Sequence, residues 1–219
     1  MTAKKNRVFI VDDHHIVRFG LIQLMKATPD LEVVGEAEDA STALTGIRQL
    51  KPDLAIVDLS LKESDGIELI EQIRSEVPSV KILVLSMHEE SVLAERALKA
   101  GAMGYIMKQE MNENLLQAVH RVLKGHVYVS GEMADRMLHR LVTSRGNEEV
   151  SPVDQLSNRQ FEVFKLLGQG YKIGEVAEHL FISVSTAEYH RTNVRRKLGI
   201  SNAAELTRIA VRWMQRTFR

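Results

Sequence analysis

Five side chains, each placed where a short apolar run stops, could together handle phosphate. "VFIVDD" runs into the adjacent carboxylates Asp12 and Asp13, "LAIVD" ends in Asp58, "ILVLS" in Ser86 and "GYIMK" in Lys108. Three carboxylates gathered in one crevice repel one another and raise one another's pKa. A divalent cation relieves that repulsion, and an all-oxygen site that keeps several waters favours Mg2+. A carboxylate nucleophile, a metal, a lysine and a hydroxyl suit phosphoryl transfer. The carboxylate attacks phosphorus and becomes an aspartyl phosphate, while the metal and the lysine offset charge on the equatorial oxygens. Each residue alone has a plainer use: Asp13 could cap a helix beginning near His14, Ser86 could form a turn, and Lys108 could be solvated. Only the joint pattern carries the chemistry. His14 and His15 follow the acids, but adjacent helical residues point about 100° apart and rarely share one ion. One is expected at the pocket rim and the other in solvent.

For these side chains to meet, the apolar runs must be neighbouring strands that end at one edge. "RVFIV", "LEVVGEA", "DLAIVD", "KILVLS" and "GYIM" read as five strands. Between them lie segments of helical spacing: "IVRFGLIQLMKA", "STALTGIRQL", "GIELIEQIRSE", "SVLAERALKA" and "NENLLQAVHRVLKG". Strands alternating with helices predict a parallel sheet covered on both faces. The near-continuous apolar strands agree with burial on both sides. In such a doubly wound α/β domain, ligands bind at the carboxyl ends of the strands. The first and third strands are expected to be central neighbours, which brings Asp12, Asp13 and Asp58 together.

The rest of the chain has another texture. A short helix is expected near Gly131 to Val142, followed by a polar linker, "TSRGNEEVSP". From Leu156 onward only helical patterns appear, in four segments separated by short turns, three of them marked by Gly170 and Gly199 or by the Phe181-Ile182-Ser183 stretch. The domains are therefore placed at 1–125, a linker with a short helix at 126–152, and a smaller all-α four-helix domain at 153–219. The formal net charge is zero overall, yet residues 151–219 hold 11 Lys/Arg against 6 Asp/Glu, and residues 1–150 hold 18 against 23. That split suggests two modules with different partners. At 44% hydrophobic and 26% charged, the chain reads as a soluble globular protein. It has no cysteine, which excludes disulfides, thiolate zinc sites and cysteine nucleophiles. No apolar run approaches the roughly 20 residues a membrane span needs, and no targeting signal is read at the N-terminus, so a cytoplasmic place without membrane contact is expected.

Residues 7–125 resemble a response-regulator receiver domain. The resemblance rests on the acidic pair, on Asp58 with Gly66 eight residues later, on Ser86 and on "GAMGYIMK". It implies a flavodoxin-like fold, with Asp58 as phosphoacceptor. Asp13 and Asp58 would bind Mg2+, with Asp12 in support and the Ser60 carbonyl as a further ligand. Ser86 and Lys108 would hold the phosphoryl group, and Tyr105 would be the aromatic switch residue. Two positions depart from the family pattern: Lys62-Glu63 replaces a Pro-Gly turn, and Gln109 replaces a proline after the lysine.

Residues 153–213 resemble a LuxR-type helix-turn-helix domain, and the pairing with a receiver is that of the NarL/FixJ subfamily. The carrying residues are Leu156-Ser157, Glu162-Val163, Gly170, Glu175-Val176-Ala177, Ile182-Ser183, Thr186, His190 and Lys197-Leu198-Gly199. Ser183 is expected to cap a helix running to about Leu198. At 100° per residue, Ala187, Val194 and Leu198 should pack inward. Ser185, Tyr189, Thr192, Asn193 and Arg196 should face out, with Thr186 and Glu188 at the margins, presenting the face that enters a major groove. His190 and Lys197 complete the DNA-binding set. Glu188 stands where relatives carry lysine, and Thr192 where they are often basic, so weaker and more sequence-dependent DNA binding is expected. The resemblance implies a sensor histidine kinase as donor, double-stranded DNA as partner and a homodimer on DNA. Two readings of other classes compete. A Mg2+-dependent phosphohydrolase would need a catalytic acid, for which only Asp65 or Glu63 offers itself; a phosphorylation-independent binding adaptor would not need the intact acidic set.

Overall fold

The computed structural model describes residues 4–61, 65–87, 90–143 and 152–217. The five apolar runs form β1 (Asn6–Val11), β2 (Leu31–Ala37), β3 (Leu54–Asp58), β4 (Lys81–Ser86) and β5 (Gly104–Met107). All pairings are parallel, in the order β2-β1-β3-β4-β5. β1, β3 and β4 are therefore central, and their side chains are buried almost without a break. Alternate residues feed the two faces. Val8, Ile10, Leu54, Ile56, Leu83 and Leu85 join Leu21 and Met25 of α1 (His15–Ala27) and Leu115, Val119 and Val122 of α5 (Met111–Leu123) in one core. The other face meets α2 (Ala40–Leu50), α3 (Gly66–Glu76) and α4 (Glu90–Ala100), which bury Ile47, Leu69, Ile73, Leu93 and Ala97. Each such aliphatic side chain contributes about 1.5–3 kcal/mol by leaving water, so the sheet is fixed well before any polar group is placed.

Local signals set the helix ends. Asp39 accepts from Thr42 N–H at 2.9 Å at the start of α2, and Asp65 accepts from Ile67 N–H at 2.9 Å at the start of α3. Gly66 has a steric role. A Cβ there would come within 2.5 Å of the Leu59 Cα and 2.7 Å of the Asp58 carbonyl oxygen, so only glycine lets α3 start this close to the end of β3. Beyond α5, Tyr128 N–H donates to Met103 O at 3.0 Å and its carbonyl accepts from Tyr105 N–H at 2.9 Å. This bridge covers part of the open edge of β5. Nothing in the residue pattern marks it, because a single bridging residue has no periodicity. The short helix follows as α6 (Gly131–Thr143). The linker stretch 144–151 and the departure at Lys62-Glu63 lie outside the described residues.

The chain divides into two units, Met1–Asn147 and Glu148–Arg219. The second holds α7 (Asn158–Gly168), α8 (Ile173–His179), α9 (Val184–Lys197) and α10 (Ala203–Thr217). Ser157 opens α7 with a capping box closed by Gln160. Ser183 caps α9 by accepting from Thr186 N–H at 3.1 Å. The core is small: Phe161 and Phe164 meet the edge of Trp213 at 5.4 and 5.8 Å, over buried Val176, Ala187, Val194, Leu206 and Ala210. Among the described residues, no helix is long and apolar enough to cross a membrane.

Candidate functional site

Strand register gathers the five chemical side chains. Val11 is level with Val57, Asp58 with Leu85 and Ser86 with Met107, so the residues that end β1, β3, β4 and β5 reach one edge of the sheet together. Lys108 Nζ stands 2.7 Å from Asp12 Oδ2 and 2.7 Å from Asp58 Oδ2. Asp12 and Asp58 are each only 1% exposed, and Ser86 is fully buried. Asp58 Oδ1 accepts from Ser60 N–H at 3.1 Å, which turns the β3–α3 loop toward the carboxylate.

The electrostatics follow from this placement. Burial pushes the Asp58 carboxyl above the usual range, Lys108 draws it back, and Asp12 pushes it up again. For Lys108, burial works to lower the pKa, but Asp58 and Asp12 outweigh it and hold the amine above its ordinary value. Asp12 and Asp58 share Lys108 while Asp13 reaches only His14, so the three carboxylates leave a surplus of negative charge of the size a divalent cation would balance. One ligand atom from each of Asp12, Asp13, His14 and Asp58 lies within 4.8 Å of all the others. The donor set thus fits a Mg2+ site at the carboxyl ends of the strands.

Two details differ from the sequence expectation. Asp13 does not cap α1; His14 occupies the N-cap and its own side chain makes no cap bond. Asp12 Oδ1 instead accepts from His14 N–H at 2.8 Å, a two-residue Asx turn that ties the carboxylate to the helix start. His14 stands at the rim, with Nδ1 2.7 Å from Asp13 Oδ1, and His15 is exposed. The second detail is Arg18, which sequence reasoning passed over. It is 9% exposed, donates from Nη1 to the Asp12 carbonyl at 2.7 Å and from Nε to Glu36 at 3.0 Å. The available signal was a charged residue set among the apolar positions of an otherwise amphipathic helix. Tyr105 is 1% exposed, with its ring turned into the fold. Of the two acids a phosphohydrolase could use, Asp65 caps α3, and Glu63 lies outside the described residues.

α9 presents a different kind of site. Ser185, Tyr189, Thr192, Arg196 and Lys197 are exposed, and Thr186 and Glu188 are partly so. Asn193, expected to face out, is only 7% exposed, and its Oδ1 accepts from Arg196 Nη2 at 2.9 Å. The correction has a geometric cause: α7 and α8 both pack on α9, so the buried arc is wider than the apolar stripe Ala187–Val194. His190 lies on the same flank, half-buried beside Arg159 and Glu162 of α7; burial first, and then Arg159, pull its imidazole below the ordinary histidine value. The charges of the face have partners both within the helix and outside it. Glu188 pairs with Arg191 at 2.7 Å, and Lys197 Nζ donates to Gln155 O at 3.0 Å. The hydroxyls of Ser185 and Thr186 meet the Ser183 cap at 2.8 and 2.7 Å.

Comparison with known proteins matches both units. Residues 8–120 match the response regulator receiver domain family, and residues 154–210 match the luxR family of bacterial regulatory proteins. The chain is 34% identical over 210 residues to the oxygen regulatory protein NreC of Staphylococcus haemolyticus, covering 94% of this chain and 97% of that protein. Among solved structures, a LuxR-family two-component response regulator from Aurantimonas sp. SI85-9A1 is 36% identical, with a TM-score of 0.59 over 64% of this chain and 99% of the other. RcsB of Salmonella enterica serovar Typhimurium, bound to the rprA promoter with the phosphomimetic BeF3−, is 30% identical, with a TM-score of 0.57 over 94% of this chain and 98% of the other.

Proposed function

Starting from the premise that the chain belongs to the response regulators of the NarL/FixJ family, a receiver domain joined to a LuxR-type DNA-binding domain, we propose that Asp58 is its phosphoacceptor and α9 its reading helix. The chain is a phosphorylation-dependent transcriptional regulator. The observation that carries the site assignment is the Lys108 amine held at 2.7 Å from both Asp12 and Asp58. It marks where a phosphoryl group on Asp58 would find its counter-charge.

The donor is a phosphohistidine of a sensor kinase. An Asp58 carboxylate oxygen attacks phosphorus, the P–N bond to the donor histidine breaks, and an acyl phosphate results. Asp13, Asp58 and the Ser60 carbonyl would hold Mg2+, with Asp12 in support; the ion supplies positive charge against the phosphoryl oxygens. Lys108 exchanges its contact with Asp58 Oδ2 for a phosphoryl oxygen. The Ser86 hydroxyl binds another oxygen, and its shift changes the packing around the already buried Tyr105 ring. The strand ends thereby pass a local charge change to the β4–β5 side of the sheet.

The output is DNA binding by a cytoplasmic homodimer. Ser185, Thr186, Glu188, Tyr189, Thr192 and Arg196 lie on the face that would meet base edges and phosphates, with His190, Asn193 and Lys197 setting its flank. A two-fold dimer reads half-sites about 34–36 Å apart.

Incubating the full chain with acetyl phosphate and Mg2+ tests the assignment. Intact mass should rise by one phosphoryl group, the Asp58→Asn variant should stay unmodified, and duplex-DNA affinity should change only in the wild type. Phosphate uptake by Asp58→Asn at the wild-type rate would remove Asp58 from its role.

A further inference from the structure

The two adjacent acids of the pocket are anchored in different ways. The Asp12 carboxylate is fixed by its own contacts: Oδ1 accepts from His14 N–H at 2.8 Å, and Oδ2 lies 2.7 Å from Lys108 Nζ. The Asp13 side chain is only 6% exposed, yet among the described residues its carboxylate meets only the exposed His14 ring, at 2.7 Å. Its direction is therefore set by the backbone that carries it, above all by the Asp12–Asp13 peptide. That peptide is pinned from elsewhere in the chain. The Asp12 N–H donates to Ala37 O of β2 at 3.1 Å, which fixes the chain just before it. The Asp12 carbonyl, which is the oxygen of the Asp12–Asp13 peptide itself, accepts from Arg18 Nη1 at 2.7 Å.

Arg18 is itself held for this task. It is 9% exposed, its Nε donates to Glu36 Oε2 at 3.0 Å, and its Nη2 stands 3.9 Å from Glu38 Oε2. The end of β2 and the residue after it thus hold the guanidinium, while Nη1 holds the peptide. Any donor could satisfy a buried carbonyl. A planar guanidinium anchored on its other nitrogens also fixes the direction of that carbonyl, whereas an ammonium offers a single point charge. We propose that Arg18 is a positioning residue for phosphoryl uptake: it orients the Asp12–Asp13 peptide and, through it, the Asp13 carboxylate. The inference rests on the reading of Asp13 as a metal ligand. Its effect is selective, because Asp12, Asp58 and Lys108 hold one another in place without Arg18.

Two measurements on the full-length chain separate this role from a simple tie between α1 and β2: Mg2+ calorimetry without phosphodonor, and uptake of phosphate from acetyl phosphate at varied Mg2+. The variants are Arg18→Met, Arg18→Lys and Glu36→Gln, each studied below its own thermal transition. Arg18→Met should weaken Mg2+ by about tenfold, the scale of losing a group that orients a metal ligand. Uptake at saturating Mg2+ should return to within about twofold of wild type, because Asp58, Ser86 and Lys108 are undisturbed. Glu36→Gln keeps the Asp12 contact and should weaken Mg2+ by less than about twofold. Arg18→Lys keeps the charge without the fork and should fall between them. If Arg18→Met binds Mg2+ as wild type does, if Glu36→Gln loses as much as Arg18→Met, or if saturating Mg2+ fails to restore the rate, Arg18 is only a structural tie and the proposal fails. Should Arg18→Met not fold, Arg18→Lys decides: weaker Mg2+ binding than Glu36→Gln supports the role, and equal or tighter binding overturns it. Asp13→Asn tests the reading beneath. If it leaves Mg2+ binding unchanged, Asp13 is no ligand and the inference falls with that reading; if it weakens Mg2+ and no Arg18 variant does, only the role of Arg18 is lost.

Discussion

The acidic pocket and the outer face of α9 each depend on charged groups, but they hold them in opposite ways. In the pocket, Asp12 and Asp58 are almost fully buried and share Lys108 across three strand ends. Their positions come from sheet register, and no neighbour on their own strand helps. On α9, the charges are exposed or at the margin, and two of them are tied within a turn, Glu188 to Arg191 and Arg196 to Asn193, while Lys197 reaches the Gln155 carbonyl. The pocket pays for readiness with burial of like charges, which is why it is tuned to a single small group. The helix face keeps its charges hydrated and loosely paired, which suits its proposed role, since DNA phosphates would replace those partners at little desolvation penalty. Chemistry at one atom needs fixed positions within tenths of an ångström, whereas groove recognition needs an exposed array.

Substitutions can break this contrast, and the largest effect belongs to the lysine that holds the pocket. Lys108→Ala leaves two buried carboxylates without their cation, and the expected loss is about 3 kcal/mol, read as a lowered midpoint in urea. Millimolar Mg2+ should return part of it. Asp58→Asn should move stability the other way. Burial raises the Asp58 pKa above its unfolded value, so the folded state prefers the protonated acid. Ionisation therefore costs stability as pH rises above the ordinary carboxylate range. The amide removes that cost, and a gain in stability, read as a raised Tm, is expected at neutral pH. The gain should shrink as pH falls toward 4; a variant less stable than wild type at pH 7 would show that pairing with Lys108 outweighs burial.

On the α9 side, Ser183→Ala removes the cap that also orders Ser185 and Thr186. A loss of about 1 kcal/mol is expected, with a fall in DNA affinity if the first turn carries part of the proposed reading face. The smallest stability effect and the sharpest contrast come from Glu188→Lys. It breaks the pair with Arg191, frees that guanidinium and adds a cation. Folding stability should change by less than about 0.5 kcal/mol, but non-specific DNA binding should tighten. The log–log salt slope should steepen by roughly one to two. An unchanged slope would mean that residue 188 does not face DNA.

Much of this was written in the chain. The elements reappear within about two residues of their expected places, because the apolar runs of β1, β3 and β4 and the 3.6-residue stripes of α3 and α5 are long and unambiguous. The Ser183 cap was legible because a cap acts within a few residues, whereas the close approach that requires Gly66 was not read, since it depends on where β3 ends. Asn193 was misplaced because a helical wheel assumes one buried stripe, and two helices cover α9. Arg18 and the Tyr128 bridge were missed because their partners, the Asp12 carbonyl and the edge of β5, have no sequence pattern.

By itself, then, the amino-acid order determined the alternation of strands and helices, the two-part organisation and which residue types stand at the strand ends, since periodicity and turn chemistry are properties of short stretches. Only the tertiary structure decided that Lys108 stands between Asp12 and Asp58, that His14 bends back over Asp13, and that Asn193 is covered. Those facts depend on strand register and on helices packing from elsewhere in the chain, and no local rule carries a distance across 50 residues.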